Sequence, residues 1–271
     1  MRPPFSLMIA CVAWMAVPVG AASLSEKTMM QMAGAEVVLL GEFHDNPVHH
    51  DIQAALIAEL KPKALVFEML TPAQVAQVTP QNRADAVLLA QALNWTESGW
   101  PDFAMYYPIF LAAPDAEIFG AAVPRADARA AMEAGIVAYF GAEAELYGLA
   151  APLTEAEQTQ REKLQAAAHC DALPENLLPA MVDIQRLRDA RLAQVILEAL
   201  AETDGPVAVI TGNGHARSDW GIPRYLRRAD PGVSIFALGQ SEGGQILPRA
   251  FDAVVDSPTI ERPDPCAAFR N

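Results

Sequence analysis

Four short apolar runs punctuate this chain, and each gives way at once to a polar or glycine-rich cluster. Val37-Val38-Leu39-Leu40 ends at Gly41-Glu42, and Ala64-Leu65-Val66-Phe67 ends at Glu68. The stretch 116–123 closes at Pro124-Arg125, and Val207-Ala208-Val209-Ile210 runs into Thr211-Gly212-Asn213-Gly214-His215. Apolar runs of this length, without polar alternation, predict strands buried on both faces of a parallel sheet. Signals over 233–238 and 253–255 predict two more strands. The segments between are helical in period. Ile52, Leu56, Ile57 and Leu60 predict a helix over 47–60, capped by Asn46, with Pro47 at its first position and Lys61-Pro62-Lys63 as its break. Thr71-Pro72 opens another helix. Residues 81–114 read as helical with breaks and concentrate aromatics: Trp95, Trp100, Phe103, Tyr106, Tyr107 and Phe110.

From 126 to 201 the strand signal fades and Ala- and Glu-rich helical periods take over, which predicts a helical insertion or subdomain. Strand–helix alternation on either side of it predicts an α/β fold, a mostly parallel sheet flanked by helices. The resulting plan is a leader at 1–22, a sheet core from 23–125 and 202–260, the insertion at 126–201, and an extended Pro-rich tail at 261–271.

Composition sharpens this plan. With 52% hydrophobic residues among 271, a sizeable core can form. The formal net charge of −14 argues against a nucleic-acid partner, because phosphate binding needs a basic face. Arg2, an apolar stretch over 5–19 and small residues at 19–22 predict a cleaved secretory signal, hence an exported protein of the periplasm or envelope. Met8-Ile9-Ala10-Cys11 loosely resembles a lipid-attachment box, but the better cleavage site lies downstream. Cys170 and Cys266 remain after cleavage, either as a disulfide or as two buried thiols.

The chemistry gathers where strands end. Gly41 to His50 holds Glu42, His44, Asp45, His49 and His50, three of the five histidines of the chain. Such residues often cap helices or sit in solvated loops. Their crowding at a strand-to-helix passage is also the usual ligand position of an open α/β sheet. Glu68, Arg125 and His215 are predicted at the same rim. Together they fit a hydrolytic site, in which a histidine beside a carboxylate activates water and Arg125 steadies an oxyanion. Two histidines and a carboxylate also suit a divalent metal. No GxSxG or HExxH motif is present. His169 reads as a surface or packed histidine.

The order GEFHDNPVHH, FEML, YYP, VPR and GNGHA resembles the ChaN family over residues 37–238. These are bacterial haem-binding proteins, often lipoproteins, in a wider group that includes the erythromycin esterases and the Tiki proteins. The resemblance implies a parallel-sheet domain with a smaller helical domain, and a role in haem or iron acquisition. It implies haem as ligand, held through a tyrosine, Tyr106 or Tyr107, with porphyrins sandwiched between protomers of a homodimer. His44, His49, His50 and His215 become candidates for propionate contacts or a second iron ligand, Arg125 at the rim is a further propionate anchor, and an outer-membrane haem receptor is a candidate partner. Covalent attachment is not expected, since there is no CxxCH. The hydrolases of the wider group leave the enzyme reading of Glu42, His44, Glu68, Arg125 and His215 as the alternative.

Overall fold

The structure, a computed structural model, describes residues 24–264 together with 266 and 267. The predicted leader and Cys11 lie outside the described residues. Six strands form one sheet: β1 (Val37–Glu42), β2 (Ala64–Phe67), β3 (Glu117–Gly120), β4 (Val207–Gly212), β5 (Ile235–Glu242) and β6 (Ala253–Ser257). Their order is β3-β2-β4-β1-β5-β6, and every pairing is parallel. The sheet is therefore entirely rather than mostly parallel. β1 and β2 are not neighbours, because β4 enters between them. Their carboxyl ends still share one rim.

Twelve described helices surround the sheet. α1 (Glu26–Ala33), α2 (Pro47–Leu60), α3 (Pro72–Val75), α4 (Pro80–Arg83), α5 (Ala86–Ala92) and α6 (Phe103–Ala112) precede β3. α7 (Arg125–Ala134), α8 (Ile136–Phe140), α9 (Glu155–Ala168) and α10 (Leu178–Thr203) lie between β3 and β4, and α11 (Asn213–Ala216) and α12 (Ile222–Ala229) between β4 and β5. Among the described residues no helix is long and apolar enough to cross a membrane.

Period-two alternation sorts each strand onto two faces. Val37, Leu39, Val207 and Val209 join one core cluster with Leu187, Ile196 and Leu226 of α10 and α12. Val38, Leu40, Ala208 and Ile210 join the other with Leu56 of α2 and Phe110 of α6. Both faces of β1 and β4 are dry, which is why these strands read as unbroken apolar runs. Each fully buried Leu, Ile or Val contributes about 1.5–3 kcal/mol of burial. The helical stretch 126–201 supplies one layer of this sandwich. Its last helix, α10, packs on β2, β3 and β4, and the sequence boundary at 201/202 falls inside that helix. Asn46 caps α2 as predicted, its Oδ1 accepting from the Val48 amide at 2.9 Å. Cys170, just after α9, is disulfide-bonded to Cys266 of the tail, and this resolves the open pairing.

Candidate functional site

The carboxyl ends of β2, β4 and β1, three adjacent strands, converge on one polar rim. Glu42 is the last residue of β1, and His44 follows it by two. Glu42 Oε1 accepts from His44 Nδ1 at 2.7 Å and from the Tyr106 hydroxyl at 3.1 Å, while Oε2 accepts from Gln53 Nε2 at 2.7 Å. Glu68 follows β2 directly. Its Oε2 accepts from the Thr211 hydroxyl at 2.7 Å and the Gly212 amide at 2.9 Å, and its Oε1 lies 3.5 Å from His215 Nε2. His215, in α11, donates from Nδ1 to Asp189 Oδ1 of α10 at 2.6 Å. Gly212 is where the two halves meet. A Cβ there would stand 2.9 Å from His44 Nε2 and 3.8 Å from Glu68 Oε2, so only glycine leaves His44 its seat.

The electrostatics of this chain are set by burial and close opposite charges. Burial works against a charge on His44, but the Glu42 hydrogen bond and the fields of Glu68, Glu42 and Asp45 outweigh it and raise its pKa to about 9. Burial alone would raise Glu68, yet His215, His44 and the two donors from β4 hold it down at about 2. His215 is likewise opposed by burial and raised by Glu68 and Asp189, while burial pushes Asp189 up. The His215–Asp189 pair thus holds its proton in one short buried hydrogen bond. At neutral pH His44 is an imidazolium. The general-base role expected of such a histidine requires it first to lose that proton.

The other predicted residues divide sharply. His49 is fully buried; its Nδ1 accepts from the Phe43 amide at 2.9 Å and its Nε2 lies 3.0 Å from Ser257 Oγ. His50 is also fully buried, with Nε2 2.9 Å from the His44 carbonyl and its ring against Tyr106. Both shape the loop that carries His44, and neither reaches a surface where a propionate could meet it. Tyr106 is fully buried on Glu42, and burial together with that carboxylate drives its phenol far above the usual tyrosine range. Tyr106 is thus a neutral phenol enclosed against Glu42. Tyr107 is half-buried beside Phe103. Arg125 is exposed at the start of α7, outside the buried network. Asp189 was missed, because a lone acid in a helical stretch carries no sign of the histidine it will meet.

A second feature lies beside the rim. A groove of about 680 Å³ is lined by residues following β2 and β3, by α8 and by α10, among them Thr71, Val123, Phe140, Leu187, Tyr139 and Arg191. Of the five tyrosines, Tyr139 alone is exposed; Tyr106, Tyr147 and Tyr225 are buried. Burial and then the Asp127 carboxylate, with which its hydroxyl is hydrogen-bonded, raise the Tyr139 phenol, and Arg191 opposes the shift. Val137 and Met132 stand exposed on the same two helices, α8 and α7. Among the described residues no group of three or more His, Cys, Asp or Glu side chains is placed to hold a metal ion.

An entirely parallel α/β domain with buried His–carboxylate pairs at its carboxyl rim and a tyrosine-bearing groove beside it defines the class. The family model described as haem-binding uptake, Tiki superfamily, ChaN, matches residues 28–226, and the chain belongs to that family. Among solved structures it is similar to ChaN of Campylobacter jejuni, described with cofacially bound haem, at 24% identity over 84% of this chain and 90% of that one, with a TM-score of 0.66. An erythromycin esterase mutant in its open conformation matches at 15% identity over 80% of this chain and 72% of that one, with a TM-score of 0.43. A Bacillus cereus protein matches at 15% identity over 80% and 68%, with a TM-score of 0.35. No curated protein matches the chain.

Proposed function

We propose that this protein binds haem in the groove beside the rim, with Tyr139 as the iron ligand. The observation that carries the assignment is the combination in one groove of the only exposed tyrosine, apolar walls from Val123, Phe140 and Leu187, and the cationic Arg191. A porphyrin needs a broad apolar surface, its propionates need cations or donors, and phenolate is an established axial ligand. Family membership supports the ligand class. Coordination requires Tyr139 to give up its phenolic proton, so binding releases a proton and tightens as pH rises. Asp127 is the first acceptor for that proton, and Arg191 is placed to hold a propionate. When bound, the haem would supply iron for uptake or transfer. The Cys170–Cys266 disulfide supports an exported location, since such bonds persist in oxidising compartments. The exposed Val137 and Met132 suit a second haem-bearing copy across the groove, a homodimer that size-exclusion with and without haemin would register.

Haemin titration tests the assignment. The wild type is expected to give a saturable Soret shift, weakened about tenfold or more in Tyr139→Phe and kept in a Tyr106→Phe, Tyr107→Phe double variant. Absence of a saturable shift at micromolar protein would sink haem binding. Loss in the double variant, with Tyr139→Phe unaffected, would move the ligand to Tyr107.

A second reading is favoured by the rim itself. Buried ion pairs contribute little to stability and gather at functional sites. Here Glu42, His44, Glu68, His215 and Asp189 form two such units. As a hydrolase the rim would use His44 and His215 as proton donors to a carbonyl oxygen or leaving group, without Arg125. Hydrolysis of p-nitrophenyl acetate that disappears in His44→Ala, measured without haemin, would support it; equal rates in the two proteins would remove it.

A further inference from the structure

The C-terminal tail is tied down at both ends across the loop that carries His44. It leaves β6 at Ser257, whose Oγ lies 3.0 Å from His49 Nε2 and accepts from Asn46 Nδ2 at 3.2 Å. Thr259 is then seated on Gly243, where φ is +57° and a Cβ would stand 2.2 Å from Thr259 Oγ1. Arg262 follows. Its Nε donates to Asp45 Oδ2 at 2.6 Å and its NH2 to Asp45 Oδ1 at 2.8 Å, while NH1 donates to Glu242 Oε2 at 2.6 Å. Glu242 Oε1 also accepts from Asn46 Nδ2 at 2.6 Å, so one guanidinium knits Asp45, Asn46 and Glu242 together. Four residues further on, Cys266 is disulfide-bonded to Cys170 at the end of α9. Both cysteines are partly exposed.

Arg262 is thus held on Asp45 and Glu242 between two fixed points, the end of β6 and the disulfide. Asp45 follows His44, whose ring rests 4.8 Å from that of Trp100. We propose that residues 258–264, tethered through Cys266, form a redox-latched strap: while the disulfide is closed, Arg262 clamps the His44 loop, and reduction releases the clamp and opens the rim. A dithiol, small or carried by a thiol–disulfide oxidoreductase, supplies the two electrons and two protons. The S–S bond breaks, each sulfur leaves as a thiol, and the dithiol closes to its own disulfide. Without that tether the last residues regain chain freedom, and a partly exposed ion-pair cluster alone must hold the segment. Asp45 and Glu242 are then left facing each other without their cation.

Hydrogen exchange on the full mature chain tests this without haem or substrate. On reduction with a phosphine, confirmed by thiol titration, the amides of Phe43 to Asn46 are expected to exchange about fivefold faster through a local opening that low urea leaves unchanged, the factor that corresponds to an ion pair of about 1 kcal/mol, while Leu39 and Val209 follow the loss of global stability and depend steeply on urea. Re-oxidation restores the original rates. Arg262→Gln, with the disulfide intact, is expected to give the same local increase and leave Leu39 and Val209 unchanged. Loop exchange in the reduced protein that depends on urea as steeply as that of Leu39 and Val209 would mean a general staple, and would overturn the strap. So would an Arg262→Gln variant with wild-type loop exchange.

Discussion

His44 is held by Glu42 and rests against Trp100, and its charge is testable. With its pKa raised to about 9 by Glu42 and its neighbours, its ring resonances are expected to titrate near that value in NMR. Glu42→Gln should bring the midpoint down towards 6.5, the unperturbed value. A wild-type midpoint already at 6.5 would show that the pair does not form. The sign for stability follows. The His44 contribution is complete below 6.5 and fades as pH rises through about 9. That of Glu68 is present above 4.5 and fades as pH falls towards about 2. Gly212→Ala inserts a methyl 2.9 Å from His44 Nε2. It is expected to cost about 1–3 kcal/mol in urea unfolding and to shift the His44 titration; an unchanged titration would show that the ring has another seat.

Elements were legible where local chemistry decides them. α2 has its cap and first-position proline in sequence, and the cap also ties the helix to the tail. Asn46→Ala removes the bond to Val48 and two more, to Glu242 and Ser257, at a fully buried position. A loss of about 2 kcal/mol is expected in denaturant unfolding, against a few tenths if the cap alone were exposed and idle. α6 shows the limit of such reading. Tyr106 and Tyr107 are adjacent in sequence, and only the packing of Trp95 and His50 against Tyr106 decides that it is the enclosed one. α10 reads as part of an insertion, yet its buried residues are those of the sheet's own core.

For the molecule as a whole, the disulfide closes a loop with a sequence separation of 96. Cross-links of that span remove a large share of denatured-chain entropy, so reduction is expected to lower unfolding stability by about 3–5 kcal/mol. Urea melts with and without reductant measure it, and coincident curves would mean that the bond is not formed in solution. At the rim, His44 stands beside Glu42, and His215 lies between Glu68 and Asp189.

The sequence by itself determined the strands, their parallel arrangement and the rim residues Glu42, His44, Glu68 and His215. Each of these follows from apolar runs and turn chemistry within a few positions. Tertiary structure alone decided that β4 separates β1 from β2, that Asp189 completes His215, that His49, His50 and Tyr106 are enclosed, and that Tyr139 faces an open groove. These depend on which surfaces meet across tens or hundreds of residues. Burial, which sets both the pKa of a side chain and its access to a ligand, is a property of that meeting and is written at no single position.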